Sequence, residues 1–103
     1  MLTVLRDDVG HLTAACAWYV VDKNGTLDPY GGWVFVEQLE VSKGQDVRMH
    51  VRNIIADILW RAPTAHHGYW ERRDSTGPGN TTRHVFSRER FTAYLHQWME
   101  VMG

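Results

Sequence analysis

The strongest constraint on this chain is a stripe of five aliphatic residues. Val47, Val51, Ile54, Ile55 and Ile58 fall within an arc of about 100° at helical spacing, so they mark the buried face of a helix. That helix is expected from about Gly44 to Arg61, with Pro63 stopping it. A helix with one apolar stripe has to lay it against a second layer, which the remainder of the 103 residues must provide. With 44% hydrophobic residues and five Trp there is material for one real core. These fractions exclude a disordered or low-complexity chain, and the length fits a single domain spanning residues 1–103.

The flanking segments are less uniform. Across residues 8–22, Val9, Leu12, Cys16 and Val20 recur at three- and four-residue spacing among helix-forming alanines. This predicts a helix that Asp7 or Asp8 caps and Asn24-Gly25 ends. The competing reading is a strand over Ala17–Asp22, favoured by the β-propensity of Trp18-Tyr19-Val20-Val21. Trp33–Glu40 is open in the same way: Trp33-Val34-Phe35-Val36 favours a strand, whereas Trp33, Val36 and Leu39 share one helix face. Gly68–Arg73 and Thr81–Phe86 read as two strands of a hairpin around the turn-rich Asp74–Asn80. Ser87 caps a last helix, expected over 88–102, whose apolar face is Phe91, Tyr94, Leu95, Trp98, Met99 and Met102.

Charge is divided along the chain. Residues 1–42 hold two basic and six acidic side chains, a net of −4, while residues 43–90 hold nine basic and five acidic ones, a net of +4. Eight of those nine cations are Arg, the side chain suited to phosphate and bidentate contacts.

The order of elements, with Leu39, Val41-Ser42 and the run Val47-Arg48-Met49-His50-Val51-Arg52-Asn53-Ile54, resembles the winged helix-turn-helix of bacterial regulators such as the PadR-like and MarR-like proteins. Gly68–Arg73 and Val85-Phe86-Ser87 resemble the two wing strands, and the likeness covers about residues 33–95. It implies an α+β, mainly α fold with a β-hairpin wing and a C-terminal amphipathic helix that closes the domain or dimerises. It further implies sequence-specific binding of double-stranded DNA by a homodimer, either a small transcriptional regulator or a DNA-organising factor of a mobile element. The residues chosen for DNA contact are Lys43, Gln45, Arg48, Met49, Arg52 and Asn53 on and before the recognition helix, with Arg72, Arg73, Thr81, Thr82 and Arg83 on the wing. Arg, Gln, Asn and Met suit base edges in the major groove, and wing cations suit phosphates. Phe91, Tyr94, Leu95, Trp98, Met99 and Met102 are the dimerisation face. Should Trp33–Glu40 be a strand instead, the chain becomes a ββαββα sandwich, and the alternative function is a protein-interaction module without DNA binding.

Chemistry-bearing patterns are sparse. The six His and the single Cys16 show no Cys-x-x-Cys or His-x-x-x-His spacing. There is no Gly-x-Ser-x-Gly elbow, and Gly77-Pro78-Gly79 lacks the Lys-Ser/Thr of a phosphate loop. The expectation is therefore no enzyme, no metal and no cofactor. The longest apolar run, Ala14–Val21, falls well short of the roughly 20 residues that span a bilayer. A lone cysteine and an acidic, signal-free N-terminus point to the cytoplasm.

Overall fold

The computed structural model describes residues 1–73 and 81–93, with side chains throughout except at 72, 73 and 81. Five strands form one sheet in chain order: β1 (Leu2–Arg6), β2 (Leu12–Val21), β3 (Trp33–Val41), β4 (His67–Arg73) and β5 (Thr81–Ser87). Neighbours are antiparallel except β3 and β4, which run parallel. A parallel pair needs a crossover, and α1 (Val47–Arg61) supplies it. Asp46 caps α1, its carboxylate accepting from the Met49 N–H at 3.2 Å. Residues 88–93 begin a second helix after β5.

The aliphatic stripe does what its spacing requires. Ile54 and Ile58 bury against Ala14, Cys16 and Trp18 of β2 and Val34 and Val36 of β3, with Ala62 and Ala65 closing the core beyond the helix. The small residues on β2 let α1 approach the sheet closely. Trp18 then fills the space between β1 and α1, its indole N–H donating to Thr3 Oγ1 at 2.9 Å.

This architecture overturns the expected fold class. The chain is mainly β, a five-stranded mixed sheet, and not a mainly α winged helix-turn-helix. The expected first helix over residues 8–22 is β2, and Trp33–Glu40 lies within β3, so no helix precedes α1 to make the helix-turn-helix. In both segments β-branched and aromatic residues gain from lateral pairing, and in β2 that gain outweighs what its alanines gain from helix formation. Asn24-Gly25 does not stop a helix; it turns the chain after β2, with Gly25 at φ 83°. The α1 helix and the β4–β5 hairpin match their expected places. The ββαββα alternative lacks one strand, because β1 also joins the sheet.

Arg88 was grouped in the sequence with the cations of the basic half, but here it holds the end of α1. Its guanidinium donates to the carbonyls of Ala65 at 2.7 Å, Ala62 at 2.8 Å and Leu59 at 2.9 Å. The last carbonyls of a helix lack partners within the helix, and a cation there also meets the negative end of the dipole. Arg88→Met should cost about 2 kcal/mol, near the value of charged hydrogen bonds that water partly replaces. Urea denaturation checks this, and Arg88→Lys should recover only part of the loss.

Candidate functional site

Strand alternation sorts the sheet into two faces. Toward α1 point Thr3, Cys16, Trp18, Val34, Val36, Gly68 and Phe86, nearly all buried. Gly68 leaves room for the Phe86 ring, whose Cζ lies 2.0 Å from where a Cβ would stand. Burial also pushes the Cys16 thiol up to about 11, which makes it a core atom and a poor nucleophile.

The other face has no helix over it among the described residues. Register places Tyr19 of β2 beside Phe35 of β3, Phe35 beside Tyr69 of β4, and Tyr69 beside Val85 of β5. One row of large side chains therefore crosses four strands. The Phe35 and Tyr69 rings lie 5.2 Å apart, and Tyr19 and Val85 are 36% and 54% exposed. In the next row Trp33 stacks on His67 at 4.9 Å and meets Tyr69 edge-on at 6.1 Å. His66 and His67 bring their Nδ1 atoms to 2.6 Å. On β1, Leu2 and Val4 pair with Ala17 and Ala15 and extend the apolar surface, 59% and 42% exposed.

Carboxylates edge this surface. Glu37 lies at the irregular register between Ala17 and Trp18, against the Tyr19 hydroxyl; hydrogen bonding to the neutral phenol and the carboxylate's own charge raise the tyrosine pKa. Gln38 donates to Glu40 at 2.8 Å. Glu71 accepts from Arg83 at 3.0 Å, and that guanidinium lies 4.7 Å over the Tyr69 ring. Aromatic and aliphatic groups with an acidic edge thus occupy a face built mostly from the acidic N-terminal part of the chain.

The residues chosen for DNA contact do not form one surface. Lys43 and Gln45 are exposed in the turn before α1, and Arg48, Met49 and Asn53 are exposed on the helix; Arg52 is half-buried. Arg83 lies on the opposite face of the sheet, tied to Glu71. Thr82 is exposed on β5, while the side chains of Arg72, Arg73 and Thr81 lie outside the described residues, as do Tyr94, Leu95, Trp98, Met99 and Met102. Phe91 sets the start of the last helix against α1, beside Val51 and Ile55. Sequence reasoning missed Tyr19, Trp33, Phe35, Tyr69 and Val85 as a group. The available signal was the spacing Trp33, Phe35 on β3 and His67, Tyr69 on β4, which puts each pair on one face once both segments are strands.

Among the described residues no group of three or more His, Cys, Asp or Glu side chains could hold a metal ion. No described helix is long and apolar enough to cross a membrane. No protein-family model matches the chain, and no significant match exists among curated proteins or solved structures.

Proposed function

We propose that this protein is a protein-interaction module whose open sheet face binds a basic protein partner. One observation carries the reading: the row Tyr19, Phe35, Tyr69 and Val85, which no helix covers among the described residues, extended by Leu2 and Val4 and edged by Glu37, Glu40 and Glu71. Soluble domains rarely leave a contiguous apolar surface uncovered unless something docks on it. Aromatic side chains supply contact area at the centre of such interfaces, and charges at the rim select the partner. The acidic edge calls for Lys or Arg around an apolar patch on the other protein. Its buried, unpaired thiol supports a reducing compartment such as the cytoplasm as part of this reading. It acts by binding, and no catalytic step or cofactor is assigned to it.

Selection of a random displayed peptide library on the folded protein tests this. Enriched peptides should combine Lys or Arg with apolar residues and should bind less tightly as salt rises. Phe35→Asp, which changes a half-exposed side chain, should weaken them by about a hundredfold, the loss of a central aromatic contact. Arg48→Ala on the far face should leave them unchanged. Peptides insensitive to Phe35→Asp, or no enrichment at all, would overturn the proposal.

A second reading, a homodimeric, sequence-specific regulator of double-stranded DNA, is favoured by one observation: Lys43, Gln45, Arg48, Met49 and Asn53 are all exposed at and along α1. Anisotropy titration of a random duplex pool at two salt concentrations separates the two readings. DNA binding through this face requires a steep salt dependence and a loss of affinity in Arg48→Ala that the peptide reading does not share.

A further inference from the structure

We propose that the cleft where β3 and β4 part admits an extended segment of the basic partner as an additional strand, with apolar residues turned toward α1 and Lys or Arg turned toward the open face. The proposal rests on the module reading and names the partner element that reaches inside the sheet.

The two central strands pair over only four residues each, Trp33–Val36 with His67–Trp70. Past that point, among the described residues, β3 continues to Val41 paired with β2 alone, and β4 continues to Arg73 paired with β5 alone. Between them lies a cleft of about 440 Å³ at the C-terminal ends of the parallel pair. Its base is the inner face of α1, including Ile54 and Ile58, and its walls include Leu39 and Trp70. In open parallel sheets this end of the strands is where ligands collect.

Backbone geometry favours a strand over a compact ligand. The Ser42 N–H donates to the Thr13 carbonyl, so residues of even number on this part of β3 direct their amides to β2. The amides of Leu39 and Val41 therefore point into the cleft side, where no described strand pairs with them. An unpaired strand edge is a template for another chain. Because β3 and β4 run the same way, one inserted strand can be antiparallel to both, the more stable ladder on each side. Side-chain alternation then fixes its chemistry. Every second residue enters the apolar cleft, and those between face Glu37, Glu40 and the Glu71–Arg83 pair, whose arginine an incoming cation displaces.

The test uses the ¹⁵N-labelled full chain and the synthetic peptide acetyl-Lys-Val-Lys-Val-Lys-Val-Lys-amide. Saturable, salt-sensitive binding is expected, with the Leu39 and Val41 amides becoming protected from hydrogen exchange. A peptide N-methylated at alternate residues should bind about tenfold more weakly or worse, because it cannot complete the ladder. That comparison leaves the protein unmutated, so misfolding cannot imitate it. Protection of Leu39 and Val41 before peptide is added would overturn the inference, since the chain itself would then fill the cleft. Equal binding by the N-methylated peptide, or by its Glu-Val counterpart, would do the same. If library-selected peptides depend on Phe35 while the Lys-Val peptide leaves Leu39 and Val41 unprotected, the strand insertion falls and the module reading stands. If no basic peptide binds at all, both fall.

Discussion

Trp18→Ala should remove most of the stability of this protein. The indole is fully buried and belongs to three elements at once. It sits on β2, its N–H donates to Thr3 on β1, and the Arg61 guanidinium of α1 lies 5.2 Å over its ring. Thr3 in turn donates to Asp57 of α1 at 2.7 Å, so the hydroxyl couples the indole to the helix. Truncating a buried aromatic to Ala costs about 3–5 kcal/mol, against the roughly 5–15 kcal/mol that holds a domain together. The Asp57–Arg61 pair cannot compensate, since both side chains are about a third exposed and such pairs contribute little. Urea denaturation followed by circular dichroism should show a large drop in midpoint at unchanged slope. Trp18→Phe separates packing from polarity. It keeps a ring but removes the shorter of the two donors to Thr3 Oγ1, leaving the 3.5 Å contact from Arg61, and should cost about 1–2 kcal/mol. A Trp18→Ala loss under about 1 kcal/mol would mean that the core described here is not the one that holds the fold.

What the sequence disclosed follows from the periodicities it could display. α1 was legible because its stripe repeats cleanly over about three turns, and the β4–β5 hairpin because its turn residues are concentrated between two β-forming runs. β2 was misread for a physical reason. A strand announces itself by alternating apolar and polar residues, but the face of this sheet away from α1 is itself apolar, with Leu2, Val4 and Tyr19 on it. Alanines occur on both faces of β2 and mark neither. The extra residue Thr13 at the register shift opposite Leu5 and Arg6 breaks the period of β2 further, and the extra Glu37 opposite Ala17 and Trp18 does the same in β3. The accidental spacing of Val9, Leu12, Cys16 and Val20 then resembled a helix.

The same face, over which no described helix lies, explains why the candidate site was invisible. Tyr19, Phe35, Tyr69 and Val85 become neighbours only through the three pairings among four strands, which join segments apart in sequence. Local reading instead selected the polar face of α1, whose exposure it anticipated at Arg48, Met49 and Asn53. The charge division along the chain follows the elements, with β1, β2 and β3 in the acidic part and α1 and the hairpin in the basic one, but the cations do not gather on one surface: Arg61 reaches Leu2 and Thr3 of β1 while Arg88 holds the end of α1. Arg83 shows how far residue type alone can mislead, since its guanidinium is held by Glu71 and Tyr69 on the sheet.

Gly31→Ala should be nearly as damaging as loss of a core side chain, although it adds a single methyl group. The cause is steric. A Cβ at Gly31 would lie 2.1 Å from the carbonyl oxygen of Val21 and 2.5 Å from its carbon. These are main-chain atoms of β2 and cannot rotate away as a side chain does. The segment around Gly31 would have to lift from the strand, yet it is fastened on both sides. Its N–H donates to the Asp28 carbonyl at 2.9 Å, and its own carbonyl accepts from Thr64 Oγ1 at 3.1 Å. Lifting it also pulls on Gly32, whose carbonyl accepts from the His66 N–H, and so on the Trp33–His67 stack at the edge of the open face. Overpacking typically costs about 1–3 kcal/mol, and a clash with fixed backbone belongs at the upper end, about 3 kcal/mol. Gly10→Ala is the matched control. Gly10 has φ 95° and open space where its Cβ would go, so only backbone strain applies, about 1 kcal/mol. Urea midpoints should rank wild type above Gly10→Ala and Gly10→Ala above Gly31→Ala. A Gly31→Ala variant as stable as Gly10→Ala would show that the segment is not seated on Val21. In that case the edge of the open face beside Trp33 would be shaped differently.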